Sequence, residues 1–208
     1  FVLFVMTSII TAIERNELGF SLTTASIGLV TLMMASASNT SSALAITQEG
    51  SEFVLLKTAP ADVKNMAWAK IFFNLSFSTI MIILSFVVVT IFCDRLTDLG
   101  TIWILCGGTI ITNAALILWS FELDIKNPAL REYASNNDTS TVNNAAESIK
   151  IGLIITVFFT ALSVLFLMDG DNLLWQWFRI IGIAVVFLLA RFYMFRSYLK
   201  NVFPDIEY

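Results

Sequence analysis

Between Leu99 and Phe121 not one side chain carries a formal charge. A helix needs about 20 apolar residues to cross the hydrocarbon core of a bilayer, and this run is long enough. The pattern repeats. Leu18 to about Ser38 is uncharged, and Trp68–Phe92 holds one charge, Lys70, near its start. Ile151–Met168 follows Lys150, and Leu173–Tyr198 carries Arg179 and Arg191, each placed where its long stem is expected to snorkel to an interface. Only 13% of the residues are charged, against about 25% in a soluble domain. Charges are also clustered between the runs, as they must be when one at mid-bilayer costs about 2.5–3.5 kcal/mol or more. Phe1–Ile13 is a shorter apolar run with no basic flank, and reads as a span cut at its amino end rather than a signal peptide. The sequence therefore predicts an all-α, polytopic transmembrane helical bundle of about six spans: 1–13, 18–38, 68–92, 99–121, 151–168 and 173–198. It is expected to be the carboxyl part of a longer chain.

Basic residues orient such a bundle. With 47–67 and 122–150 as cytoplasmic segments, the inner side holds Lys57, Lys64, Lys70, Lys126, Arg131, Lys150, Arg191, Arg196 and Lys200. The outer side holds Arg15, Arg95 and Arg179. Trp68, Trp119, Tyr193 and Tyr198 are expected at the inner boundary, and Trp103, Trp175 and Trp177 at the outer. The outer connections are short. The inner ones are long, which places the surface available for binding in the cytoplasm.

Much chemistry is excluded by what the chain lacks. Histidine is absent, which removes the commonest general base and metal ligand. The two cysteines, Cys93 and Cys106, form no metal or disulfide framework. No G-x-x-x-x-G-K-[ST] loop is present, so energy for uphill transport has to come from a partner. No ionisable residue falls in the middle third of any predicted span, where ion-coupled carriers place theirs. Asn113 is the main polar side chain at mid-span and is expected to bond between helices. The small-residue run Ser36–Ser42 is expected to pack closely rather than line a path. Asp169 and Asp171 fit a turn, and the sequons at Asn39, Asn74 and Asn137 lie in or near the membrane or the cytoplasm.

The most informative stretch is Thr47–Lys70. Glu49, Glu52 and Lys57 interleave with Phe53, Leu55 and Leu56, as in an amphipathic element lying on the inner surface. Pro60 suits the first turn of a new helix, and Asp62 the positive amino end of that helix. From Val63 the helix is expected to continue into the next span.

Glu49, Gly50, Phe53, Leu56, Lys57, Pro60 and Lys70 together resemble the E-G-x-x-F-x-x-L-K-x-x-P segment of a bacterial family of ABC-2-type exporter permeases. A weaker likeness lies at Asp124, Pro128 and Leu130, similar to that family's D-x-x-x-P-x-L element. There the chain departs from the pattern, with Tyr133 for a Trp and an inserted Asn/Ser/Thr-rich stretch, Ser135–Asn144. By layout the resemblance spans Leu18 to Lys150. It implies that 47–67 is a cytoplasmic coupling segment docking on ABC ATPase subunits, and that 122–150 supplies a second contact. Glu49, Glu52 and Lys57 would then fix register, and Phe53, Leu55 and Leu56 would give apolar anchoring. It implies a multi-pass cell-membrane permease that is not itself an enzyme. ATP and Mg would reside on the partner, with no cofactor, metal or nucleic acid on this chain, and a second permease copy would complete the path. Two other classes remain open. An integral-membrane enzyme for lipid or prenyl substrates would have to use Glu122 and Asp124, which point apart on a helix. A channel or carrier would work without a partner.

Overall fold

The computed structural model describes residues 27–29, 31–32, 35, 39–53, 55, 63–92, 99–136, 143–167, 173–203 and 206. Among these there is no strand. The helices are α1 (Val63–Phe92), α2 (Leu99–Lys126), α3 (Leu130–Asn136), α4 (Asn144–Leu167) and α5 (Leu173–Asn201). Two short 3-10 helices, Asn39–Leu44 and Thr47–Glu49, precede them. Four helices, α1, α2, α4 and α5, are long and apolar enough to cross a membrane. The chain is an all-α bundle whose composition fits a multi-pass membrane protein. The predicted span 1–13 lies outside the described residues. Of 18–38, positions 27–29, 31–32 and 35 are described, and all are helical.

The long helices overrun their predicted limits. α1 starts at Val63, where the helix was expected to begin ahead of the span at Trp68, and its 30 residues extend about 45 Å, beyond a core of about 30 Å. α2 passes Phe121 and reaches Lys126, while α4 begins at Asn144 rather than Ile151. The expected loop at 122–150 is thus corrected: its described part is mostly helix. Charge suggested a loop, but Glu122 and Asp124 are both paired inside the bundle, so they do not end the helix. Pro128 does, two residues on, because its ring disfavours a helical residue before it and offers no N–H. α4 restarts where the Asn143 carbonyl accepts the Glu147 N–H at 2.9 Å, with Glu147 beside the positive helix end.

α2 is the central helix. Of its apolar window 56% is buried, against 22%, 17% and 17% for α1, α4 and α5. It packs most extensively on α5, then on the first 3-10 helix and α1. The largest core cluster sits at the end of the bundle shared by the start of α1 and the end of α5. There Phe195 meets Trp68 at 5.2 Å and Phe121 at 5.8 Å between centroids, both edge-on. Outward faces are apolar: Phe72, Phe73 and Phe77 on α1, Ile154 and Phe158 on α4, Val186 and Leu189 on α5. Lipid is the solvent such faces require.

The first 3-10 helix does not lie on the surface. It contacts α1, α2 and α4, and Ser42 and Ala43 have no exposed area, so the small-residue run does pack closely where it is described. Asn39 is level with Asn113 and Ser78, near the midpoints of α2 and α1. The chain therefore runs in 3-10 and turn conformation from mid-bundle to one end. Irregular backbone at that depth is tolerated only where protein covers it.

Because Phe195 is fully buried and Phe72 is 71% exposed, Phe195→Ala is expected to destabilise the bundle by about 3–5 kcal/mol. Phe72→Ala should cost less than about 1 kcal/mol. Denaturant unfolding in mixed micelles compares the two.

Candidate functional site

The site is built around the carboxylate of Asp124, which is completely buried. Its Oδ2 accepts the N–H groups of Ile46 and Thr47 at 2.6 and 3.0 Å. Oδ1 accepts the Thr47 hydroxyl at 2.5 Å and the Asn144 side-chain amide at 3.1 Å. The Thr47 oxygen in turn accepts the Ala129 N–H at 3.2 Å, and the Asn144 amide also donates to the Asn127 carbonyl at 2.9 Å. One carboxylate thus caps the start of Thr47–Glu49, as an acidic N-cap does for an α-helix. It also ties the end of α2 to the beginning of α4.

Lys70 adds a second tie. Its Nζ donates to the Ala45 carbonyl at 2.5 Å and pairs with Glu49. Gly50 then turns the chain at φ 50, ψ −128, a conformation glycine tolerates and other residues rarely adopt. A Cβ there would also stand 3.2 Å from the Tyr133 ring on α3.

These contacts place the residues for which coupling to a partner was expected. Glu49 faces Lys70 and Gly50 forms the turn. Glu52 is exposed, and Leu55 is 70% exposed. Phe53 does not face outward. It is 1% exposed and meets Phe203 edge-on at 6.2 Å. Its apolar surface is spent on the chain's own core, so it is not available to anchor a second protein. Leu56, Lys57 and Pro60 lie outside the described residues. For the second expected contact, Asp124 and Leu130 are buried and Pro128 is half-buried, so this element is internal rather than a free surface.

Glu122 and Asp124 point apart, as their two-residue spacing predicts. Glu122 pairs with Arg191 of α5 at 3.1 Å. The Arg191 guanidinium also lies 3.1 Å from the centroid of the Trp119 ring. Arg191 was expected to snorkel; instead it turns into the bundle, about 15 Å along α5 from its end at 1.5 Å per residue. The tryptophan face and the carboxylate offset desolvation of the guanidinium. Trp119 is half-buried, and Trp177, near the start of α5, is 3% exposed. Glu122 Oε1 is buried with no hydrogen-bond partner among the described residues.

Between these ties run neutral polar contacts. Asn39 donates to Asn113 and Asn113 to Ser78, both at 2.9 Å. Asn74 donates to Ser42 at 2.9 Å, and Ser120 meets Ser148 at 2.7 Å. Asn113 is the interhelical partner that its mid-span position implied. Toward the opposite end, a cavity of about 30 Å³ is lined by Thr109, Thr112, Thr160, Ser163 and Trp177, among others. Each of the four hydroxyls donates to the carbonyl one turn back in its own helix. The space suits a water or two.

Sequence reasoning missed the Glu122–Arg191 pair and the roles of Thr47 and Asn144. A signal for the first was present, since Arg191 stands alone in an apolar stretch and an intramembrane charge calls for a partner. Nothing in the sequence pattern marks Asn144 as a ligand of Asp124. Comparison with protein-family models, curated proteins and solved structures finds no match to this chain. The resemblance to ABC-2-type permeases accordingly rests on its residues alone.

Removing one partner of the buried pair should cost more than removing both. Arg191→Met alone is expected to destabilise the bundle by about 3–5 kcal/mol. Adding Glu122→Gln should restore most of that loss. A double-mutant cycle read by unfolding in micelles checks it.

Proposed function

We propose that this chain is a membrane permease subunit of an ATP-driven, ABC-2-type exporter. Residues 47–57 would receive the motion of a cytoplasmic ATPase. One observation carries the reading. A segment broken out of α-helical geometry runs from mid-bundle to the lysine-rich end, is tied there by Asp124 and Lys70, and then presents Glu52 and Leu55 outward. Discontinuous helices of this kind are what transporters use at their moving sites.

The burial of Phe53 changes its part in the mechanism. It serves as a pin rather than a docking residue. ATP binding closes the ATPase pair and displaces the exposed side of the segment at Glu52 and Leu55. Phe53 and the Asp124 clamp pass that displacement to α5, α2 and α4, and the helices rock between inward- and outward-open states. A lever fixed at one face and exposed at the other transmits force, whereas a free loop would absorb it.

A second reading is favoured by the Glu122–Arg191 pair: a carrier that needs no ATPase and uses this ionisable pair within the bundle. Glu122 and Asp124, the carboxylates that a membrane enzyme would have to use, do not converge on one point.

The exporter reading predicts that the tagged chain, purified gently from its native membranes, brings ATP hydrolysis with it. Leu55→Asp should lower that activity at least about 10-fold, the loss of one modest anchoring residue, without altering thermal stability. Equal hydrolysis from both chains contradicts it. Solute flux into liposomes free of ATP and ATPase would favour the carrier instead.

A further inference from the structure

At the same lysine-rich end, a cleft of about 530 Å³ is lined by the start of α1 and the end of α5. Lys64 lies in the first turn of α1, and Arg196 and Lys200 are one turn apart near the end of α5. All three are exposed and line the cleft. Arg196 and Lys200 make no ion pair among the described residues. Lys126, also at this end, lies over the Tyr198 ring at 4.6 Å and does not line the cleft. The cleft is therefore lined by cations, and its floor is aromatic. Trp68 and Phe192 meet there at 5.8 Å between centroids.

We infer that this cleft binds the headgroup of an anionic phospholipid. Three observations favour a lipid over a soluble anion or a protein surface. The cations stand at the ends of two membrane-length helices, the level of the phosphate groups. Below them the floor continues into exposed apolar side chains, Phe72 on α1 and Leu189 on α5, which acyl chains can follow and a water-soluble partner cannot. Tryptophan with its ring at this level is a usual interfacial anchor. The site is independent of the transport reading, resting only on the membrane-spanning character of α1 and α5. A lipid held there bridges the helix that follows residues 47–57 to the helix that carries Arg191.

The test uses the full chain in neutral detergent, titrated with dioleoyl phosphatidylglycerol or dioleoyl phosphatidylcholine and read by native mass spectrometry. Phosphatidylglycerol should be retained preferentially, and Arg196→Gln with Lys200→Gln should weaken that retention by about 30-fold. The control pair Arg131→Gln with Lys150→Gln removes the same charge from the same end but not from the cleft, and should leave retention unchanged. Equal retention of the two lipids by the native chain overturns the inference, whatever the variants do. So does an equal loss in the control pair, which reports attraction to a basic end rather than a site. Displacement of the lipid by millimolar inorganic phosphate would make the site one for a free anion. Loss of co-purifying ATP hydrolysis with lipid retention intact would make it a protein contact. Either result also overturns the inference.

Discussion

A backbone that leaves the α-helix inside an apolar bundle must have its polar groups met by protein, because lipid offers no hydrogen bonds. Asp124 meets that demand here. Its two oxygens take the amides of Ile46 and Thr47 and the side chains of Thr47 and Asn144. A buried carboxylate is itself costly, but four donors converge on this one. The consequence is a fixed junction between the broken segment, the end of α2 and the start of α4. Lys70, reaching the Ala45 carbonyl, fixes the same segment to α1.

From that junction the asymmetry of the bundle follows. α2 is enclosed by the broken segment, α1, α4 and α5, and its partners expose apolar faces. At the lysine-rich end the structure is sealed by charge and aromatic packing: the Asp124 clamp, the Lys70–Glu49 pair and the Phe195 cluster. Toward the other end lies a small cavity, whose hydroxyl groups are bonded within their own helices and whose wall includes the Trp177 indole. A device that opens one end at a time would have its stronger latch at the end where the exposed Glu52 and Leu55 are found.

The fold was legible in the sequence because lipid imposes a simple rule. Long uncharged runs became α1, α2, α4 and α5 in the order read, with α1 extending back to Val63 as the Pro60–Asp62 capping pattern implied. The ends were less legible for a single reason: charge was read as exposure. Glu122, Asp124 and Arg191 each lie beyond or within an apolar run, and each is turned inward to a partner distant in sequence. Such pairings depend on which helices become neighbours, and no local pattern contains that. Phe53 shows the same limit. Its alternation with charged residues described an amphipathic element, but could not say that the apolar side belongs to the chain's own core, against Phe203.

Hydrogen–deuterium exchange at the amides of Ile46 and Thr47, in the native chain and in Asp124→Asn, tests the junction most directly. A clamped segment protects both amides to the level of the surrounding helices, and the substitution releases them to exchange at the rate of an open loop while the middle of α2 stays protected. Loop-like exchange in the native chain, or no change on substitution, would contradict the account.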